Sequence, residues 1–408
     1  MVSGGARAVA RCDALGVPPY SDAPGMLFRA YLTPAHLATQ TLVGEWMAEA
    51  GMTARTDAMA NLIGRYDGTQ DLPPLIIGSH LDSVRDGGRY DGPLGVMLAI
   101  EAVAALHAAG RRLPFPIEVY GFGDEEGSRF PVSMLTSRVV AGAIEAVDLG
   151  MVDRDGVTLG EAIAPFGTDR RSARHGPALA YFEAHIEQGP VLESAGLALG
   201  VVTGIAAQLR YEIAVDGQAG HAGTTTMALR RDALAGVAEM VLAAERIART
   251  AASDLVATIG RLEVSPNAPN VIPGEVRFTL DVRSLDPDRR NVAAEAILAE
   301  MRAIAGRRGL TISVALRNDL AASPCDPRLI DLLGDAVAAI GQTRFRLPSG
   351  AGHDAMVMAA LCPTAMLFLR CKGGISHNPA EHVEPEDAEL ALQAMLGFID
   401  RLGEQIEP

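Results

Sequence analysis

The stretch Leu75-Ile-Ile-Gly-Ser-His-Leu-Asp82, which continues to Asp91-Gly92, decides the expected fold. Its first three residues form an apolar run that predicts a buried strand, and His80, Asp82 and Asp91 follow it closely. Residues just after the strands of an open α/β sheet lie where such folds bind ligands. Imidazole and carboxylate groups are also the ligands that zinc and related divalent ions take. The stretch therefore predicts a ligand site at one edge of an α/β sheet.

Further candidate ligands follow other predicted strands. The acidic pair Glu125-Glu126 comes directly after a strand at 117–123, His185 ends another strand, and His377 lies in a turn after a third. The alternative is that these side chains are ordinary solvated charges, as most acidic residues are. Recurrence of ligand-type residues at successive strand ends favours the metal interpretation. Four other histidines are interpreted as ordinary surface or core residues: His36, His107, His175 and His382.

Helices and strands alternate on both sides of the opening stretch. Strand-like segments at 53–66, 75–80 and 115–123, with a helix from Leu94 to Ala109, predict an α/β fold with a mostly parallel sheet. The order then changes to β-α-β-β-α-β, a ferredoxin-like pattern. We therefore expect a catalytic domain made of residues 1–209 and 327–408, with residues 210–326 as an inserted domain.

Composition restricts the partners and the cellular location. The chain has 408 residues and a formal net charge of −15, which disfavours nucleic acid and anionic membranes as partners. Its apolar runs are too short and too polar to span a membrane, and no signal peptide is expected. The four cysteines lack the CxxC spacing and suit a reducing compartment, so a cytoplasmic location is expected.

Several motifs occur in order along the chain and resemble one family. Besides Gly78–Asp82 and Asp91-Gly92, they are Asp124-Glu-Glu-Gly-Ser-Arg-Phe130, His185-Ile-Glu-Gln-Gly189, His221-Ala-Gly-Thr-Thr225, Asn270-Val-Ile-Pro-Gly274, Ser349-Gly-Ala-Gly-His-Asp354 and Ser376-His-Asn-Pro379. The set resembles the M20 metallopeptidase/amidohydrolase family, in its allantoate amidohydrolase and N-carbamoyl-L-amino-acid hydrolase branch. The chain departs from the branch at Thr226, where proline is usual, and at Leu135-Thr-Ser-Arg138.

The resemblance implies two divalent metal ions, zinc or manganese first, with cobalt and nickel as further candidates. Asp91 would bridge them, His80 and His185 would complete one site, and Glu126 and His377 would complete the other. Each ion would then have three protein ligands and keep open positions, as catalysis requires. The family also often has a cis peptide after the bridging aspartate, so we expect one at Asp91-Gly92.

Two acidic residues near the implied ligands have other expected roles. The resemblance implies that Glu125, which is adjacent to a ligand without being one, takes a proton from the attacking water and passes it to the leaving nitrogen. Asp82, two residues after His80, would accept a hydrogen bond from that imidazole and orient it. Because side chains of adjacent residues alternate in a regular strand, Glu125 and Glu126 require a bend between or before them.

The inserted domain is expected to act as a lid and to form a homodimer. On it, Arg283 would bind a substrate carboxylate, and His221 and Asn270 would polarise the scissile carbonyl. Gln188 and Gly352, from the catalytic domain, are weaker candidates for contacts to a ureido group.

The resemblance implies hydrolysis of the carbamoyl C–N bond of a linear ureido acid, with release of ammonia and carbon dioxide. Allantoate is the first substrate candidate and N-carbamoyl-L-amino acids are the second. Two alternatives stay open: an aminoacylase or dipeptidase of the wider family, and a metal-binding scaffold without catalysis. The presence of Glu125 argues against the scaffold, because such a protein needs ligands but no base.

Overall fold

The computed structural model describes residues 3–167, 169–251 and 254–406. The chain divides into two compact units. One contains the residues up to Thr203 and those from Cys325 onward, and the other is Gly204–Pro324. The sequence places these boundaries at 210 and 326, a few residues further along the chain.

The first unit is built on a mixed sheet. Its strands are Thr53–Thr56, Leu62–Tyr66, Leu75–His80, Ile117–Phe122, Ala180–Ile186, Leu199–Ile205, Arg346–Ser349 and Thr364–Leu369. Four of them are adjacent and parallel, in the order Ile117–Phe122, Leu75–His80, Ala180–Ile186, Thr364–Leu369. The short strand Ser323–Pro324 pairs with the end of Leu199–Ile205.

The flanking strands are antiparallel, so the expectation of a mostly parallel sheet is correct only for the centre. Leu62–Tyr66 runs antiparallel to Ile117–Phe122, and Leu199–Ile205 runs antiparallel to Thr364–Leu369. At the first edge, Thr53–Thr56 and Leu62–Tyr66 form a hairpin. Its connection is too short for the crossover that parallel strands require.

Helices cover this sheet. They are Gly4–Leu15, Pro34–Glu49, Pro93–Ala108, Leu135–Val140, Leu159–Ile163, Val191–Ser194, Pro327–Ala339, Asp354–Met358 and Pro385–Glu404, with short 3-10 turns at Ile144–Ala146, Ala164–Phe166, Arg170–Ala173 and Lys372–Gly374. Pro93–Ala108 is apolar and buried over most of its length. It packs closely on the strands, because a Cβ at Gly95 would lie only 2.1 Å from the carbonyl oxygen of Ala184. Its first turn follows Asp91 directly and so fixes that residue against the central strands.

The second unit has the order β-α-β-β-α-β, with its second strand divided into two short segments, Val256–Thr258 and Leu262–Ser265, that pair with successive parts of Glu275–Ser284. Its sheet contains Ala207–Asp216, Val256–Thr258, Leu262–Ser265, Glu275–Ser284 and Thr311–Leu320, and its helices are Ala233–Thr250 and Pro287–Arg308, with a 3-10 turn at Met227–Leu229. Leu262–Ser265, Glu275–Ser284, Ala207–Asp216 and Thr311–Leu320 are adjacent in that order, and all are antiparallel. Alternate residues of Glu275–Ser284, such as Phe278 and Leu280, pack with the two helices into one core. Gly220–His221 and Val271–Ile272 form a separate, two-stranded antiparallel sheet.

Two further features bear on the predictions about membrane spans and cysteines. None of the described helices is both long and apolar enough to cross a bilayer. The four cysteines are buried and carry free thiols.

Candidate metal centre

Two buried imidazoles lie side by side at the end of the parallel strands. His80 is the last residue of Leu75–His80, and His185 is the penultimate residue of Ala180–Ile186. Their ring centroids are 5.8 Å apart. The Nδ1 atom of His80 lies 3.1 Å from the carbonyl oxygen of Asp82, and that of His185 lies 2.9 Å from the carbonyl oxygen of Ile186. Each Nδ1–H can therefore donate to a backbone carbonyl, which assigns the lone pair to Nε2.

The carboxylate of Asp91 presents one oxygen to each of two groups of ligands. Its Oδ1 lies 3.1 Å from His185 Nε2 and 3.5 Å from His80 Nε2. Its Oδ2 lies 3.2 Å from His377 Nε2, which is 3.3 Å from Glu126 Oε1. The groups His80–Asp91–His185 and Asp91–Glu126–His377 each bring three ligand atoms within 4.8 Å of one another. Asp91 is common to both.

The chemistry of these donors fits divalent cations. The Nε2 atom of His185 is buried and makes no hydrogen bond within the described part of the chain, although a carboxylate oxygen lies 3.1 Å away. A lone pair that faces a carboxylate oxygen in a buried site is repulsive unless a positive charge lies between them. Nitrogen and oxygen donors in groups of three match zinc and its divalent neighbours.

The same charges shift the pKa values of Asp91 and His185. Burial alone would raise the pKa of Asp91, but His185, His377 and His80 hold that pKa well below its usual range. Burial lowers the pKa of His185, and the neighbouring Asp91 carboxylate more than offsets this, so the pKa is raised. Both shifts have one cause, a site that stabilises positive charge between the carboxylate and the imidazoles.

A bent loop places Glu125 and Glu126 beside this cluster. Asp124, the residue before the pair, has a φ of 53°, which turns the chain out of the strand direction. The two carboxylate oxygens of Asp82 accept the backbone N–H groups of Glu125 and Glu126 at 3.1 and 3.3 Å. Asp82 therefore holds the loop that carries both glutamates, and the bend that the sequence requires is present.

Asp82 orients His80 with a different group from the one expected. Its carboxylate lies 3.7 Å from His80 Nδ1, whereas its backbone carbonyl lies 3.1 Å from that atom. The carboxylate is occupied by the two N–H groups of the acidic loop. Burial raises the pKa of Asp82 to about 6.

Glu125 is buried, and one ligand atom from each of His80, Glu125 and Glu126 lies within 4.8 Å of the others. Burial raises the pKa of its carboxyl well above the ordinary value, and the nearby Glu126 adds to the shift. Perturbed carboxyls of this kind are characteristic of groups that exchange protons with a substrate. Glu125 lies outside both of the groups that share Asp91.

Gln188 and Ser376 both act on Oδ2 of Asp91. The Nε2 atom of Gln188 donates to that oxygen at 2.8 Å, and the hydroxyl of Ser376 donates to it at 2.7 Å. Gly352, the other substrate candidate of this unit, precedes His353 in a tight loop. The Nε2 atom of His353 lies 2.9 Å from Ser349 Oγ, and its ring packs edge-on against that of His185 at 4.5 Å.

Sequence reasoning did not identify three buried residues behind the cluster: Glu183, His353 and Glu381. Glu183 accepts hydrogen bonds from Ser79 Oγ at 3.0 Å and from the backbone N–H of Ala355 at 3.0 Å. The available signal for Glu183 was that it is an acidic residue within the apolar strand that contains His185. His353 and Glu381 lie inside or next to quoted motifs, but their spacing alone assigns them no partner.

The substrate candidates of the second unit fall in two places. His221 pairs with Val271 in the small two-stranded sheet, and the N–H of Ala222 donates to the carbonyl of Asn270 at 3.0 Å, so His221 and Asn270 are neighbours. Arg283 lies on the strand Glu275–Ser284, where its Nε donates to Asp281 Oδ1 at 2.8 Å.

The expected cis peptide at Asp91-Gly92 is wrong. The cis bonds among the described residues are Pro18-Pro19 and Ser265-Pro266. Gly92 redirects the chain through a φ of 83° and a ψ of −65°, a conformation open to glycine. A Cβ at this position would lie 2.5 Å from the ring of His80, so glycine is also required for space.

The α/β fold and the two ligand groups on one carboxylate define the class of site, a candidate centre for divalent metal ions. A family model described as Peptidase family M20/M25/M40 matches residues 76–401. The chain is 38% identical to allantoate deiminase from Arabidopsis thaliana, with 96% of this chain and 81% of that protein covered. It is also 38% identical to N-carbamoyl-L-amino acid amidohydrolase from Geobacillus stearothermophilus, with 93% and 94% covered.

A solved structure agrees with these relatives. The amidase of the hydantoinase/carbamoylase family from Burkholderia multivorans superposes with a TM-score of 0.92 at 36% identity, covering 100% of this chain and 99% of that one. The chain belongs to peptidase family M20/M25/M40, and the resemblance inferred from its motifs is confirmed.

Proposed function

We propose that this chain is a two-metal amidohydrolase that cleaves the carbamoyl C–N bond of a linear ureido acid. The observation that carries the proposal is the carboxylate of Asp91, which offers one oxygen to His80 and His185 and the other to His377. Allantoate is the first substrate candidate. N-carbamoyl-L-amino acids are the second candidate. They stay open because the chain is 38% identical both to an allantoate deiminase and to an N-carbamoyl-L-amino acid amidohydrolase.

Five residues would hold two divalent ions, zinc or manganese first, with cobalt and nickel as further candidates. Asp91 would be shared, His80 and His185 would complete one position, and Glu126 and His377 would complete the other. Divalent cations in such a site acidify water and polarise a carbonyl oxygen.

Glu125 would carry the proton through the reaction. It would accept a proton from the attacking water as the water oxygen bonds to the carbamoyl carbon, and donate it to the nitrogen as the C–N bond breaks. Its buried position beside His80 and Glu126, outside both groups that share Asp91, supports this role. Asp82 would keep the loop in place through the N–H groups of Glu125 and Glu126.

Substrate selection would involve both units. Arg283 would bind the substrate carboxylate, while His221 and Asn270 would polarise the carbonyl; Gln188 and Gly352 would contact the ureido group. We propose further that the unit Gly204–Pro324 acts as a lid and forms a homodimer, and that the enzyme is cytoplasmic. The ferredoxin-like order of that unit and the four free thiols support these proposals.

One assay tests the substrate and the metal together. Protein stripped with a chelator and reloaded with Zn²⁺, Mn²⁺, Co²⁺ or Ni²⁺ is given allantoate, N-carbamoyl-L-amino acids, their D-enantiomers, N-acetyl-amino acids and dipeptides. Ammonia release from allantoate or a carbamoyl-amino acid is the expected result. Preference for acetyl-amino acids or dipeptides would favour an aminoacylase or dipeptidase, and metal binding without turnover would favour the scaffold.

A further inference from the structure

We propose that Glu381 is a positioning residue for the second metal position, the one formed by Asp91 Oδ2, Glu126 and His377. The inference rests on the proposed two-metal function. Glu381 is 5% exposed. Its Oε1 accepts the backbone N–H groups of Tyr90 at 2.8 Å and Asp91 at 3.1 Å. One buried carboxylate oxygen therefore fixes the backbone that carries the bridging aspartate.

The other oxygen of Glu381 reaches the same aspartate through a serine. Its Oε2 lies 3.2 Å from Ser376 Oγ, and that hydroxyl lies 2.7 Å from Asp91 Oδ2. Ser376 directly precedes His377, a ligand of the same position. Glu381 thus connects the backbone of Asp91, its Oδ2 atom and the start of the loop that carries His377.

The chain makes room for this carboxylate. A Cβ at Gly88 would lie 2.1 Å from Glu381 Cδ, so only glycine allows the carboxylate to approach. Tyr90, which donates its N–H to Glu381, is also held at its far end, where its hydroxyl donates to Asp13 Oδ1 at 3.0 Å. The segment before Asp91 is therefore fixed at several points, and Glu381 is the one that reaches the metal ligands.

Apart from its bonds to the backbone of Tyr90 and Asp91, Glu381 acts on the Oδ2 side of the Asp91 carboxylate. On the Oδ1 side, His80 and His185 are oriented by the carbonyls of Asp82 and Ile186. Among the described residues, the hydrogen bonds of Glu381 go to Tyr90, Asp91 and Ser376 and not to these two rings. On the Oδ2 side, the side chain of His377 is 48% exposed, and its backbone φ is 54°. Removal of Glu381 should therefore weaken the second position more than the first.

Metal binding tests this without any measurement of turnover. The stripped full-length protein is titrated with Zn²⁺ against a chromogenic chelator, and its metal-free melting temperature is recorded. Wild type should bind two equivalents. Glu381→Ala should keep the tighter equivalent and bind the other roughly 10–100-fold more weakly, the usual cost of losing an outer partner of a ligand. Gly88→Ala should behave in the same way, because it displaces the carboxylate without removing it.

Two variants separate positioning from general support. Glu381→Gln should restore most of the second affinity, because the amide oxygen can still accept the N–H groups of Tyr90 and Asp91. The exposed Glu386→Ala removes a carboxylate nearby in the chain and should match wild type.

Three results would overturn the inference: unchanged affinity in both Glu381→Ala and Gly88→Ala, equal weakening of both equivalents, or no rescue by glutamine. If Glu381→Ala does not fold, the comparison of Gly88→Ala with Glu381→Gln decides. A wild-type protein that binds fewer than two equivalents would instead contradict the proposed function, and with it this inference.

Discussion

The two sides of Asp91 differ in how firmly their ligands are held. On the Oδ1 side, the side chains of His80 and His185 are 3% and 1% exposed, and a backbone carbonyl fixes each ring. On the Oδ2 side, Glu126 is 10% exposed and His377 is 48% exposed. In the proposed two-metal site, one carboxylate would therefore serve a buried position and a more open one, and we expect the first to bind metal more tightly.

The difference follows from the elements that carry the ligands. His80 and His185 belong to adjacent parallel strands, whose spacing is fixed by the sheet. Glu126 and His377 lie in loops, which the carboxylate of Asp82 and the hydroxyl of Ser376 help to hold in place. Sites on regular elements are more exactly positioned than sites on loops.

The largest expected effect is that of metal removal. Dialysis against a strong chelator should abolish hydrolysis of the ureido acid, and added Zn²⁺ or Mn²⁺ should restore it. Since the Oδ2 position is more open, a weak chelator should remove one equivalent well before the other. Metal content and ammonia release are measured on the same samples. Full activity in protein shown to be metal-free would contradict the mechanism, and simultaneous loss of both equivalents would contradict the comparison of the two sides.

The next largest effect is expected from Glu125→Gln. The amide has nearly the same shape but cannot take a proton, so kcat should fall by about 10²–10⁴-fold while two metal equivalents remain. Glu126→Gln is the matched variant, because it changes the adjacent residue in the same loop and should lose the equivalent on the Oδ2 side. If Glu125→Gln lost metal and Glu126→Gln did not, the two roles would be exchanged.

Replacing His185 or His377 by alanine compares the two sides of Asp91 directly. His185→Ala should lose the tighter equivalent, and it should lower the melting temperature because the buried ring packs against His80 and His353. His377→Ala should lose only the weaker equivalent and leave the metal-free protein nearly as stable as wild type. Zn²⁺ titration and thermal melts in the absence of metal measure both. Equal destabilisation by the two changes would show that the sides do not differ as their burial indicates.

The ligands that lie on strands were predictable from the sequence, because the sheet itself positions residues at the ends of buried strands. His80 and His185 are of this kind. The first edge of the sheet was less predictable. The turn between Thr56 and Leu62 reverses the chain there, whereas the sequence predicted one strand-like segment at 53–66. Glu381 could not be predicted, because its partners Tyr90 and Asp91 lie 291 and 290 residues away in the chain. A similar limit applied to Asp82: its carbonyl rather than its carboxylate lies next to His80 Nδ1, because the carboxylate accepts the N–H groups of Glu125 and Glu126.

The smallest effects are expected from the second unit, and they should leave both metal positions unchanged. His221→Ala should mainly lower kcat, because a group that polarises the carbonyl acts most strongly in the transition state. Arg283→Ala should mainly raise KM, by about 10-fold or more, because a charge-assisted hydrogen bond to a substrate carboxylate contributes roughly 1.5–3 kcal/mol to binding.

Arg277→Ala is the matched control for Arg283→Ala. Arg277 lies on the same strand, Glu275–Ser284, and pairs with Glu275 at 2.6 Å, as Arg283 pairs with Asp281 at 2.8 Å. Both changes therefore break a local ion pair, but only Arg283 is expected to bind substrate. KM should rise for Arg283→Ala alone, and it should rise for carboxylate-bearing ureido acids more than for their amides. Equal, small changes in both variants would show that the ion pair supports only the sheet, and the substrate carboxylate would need another partner.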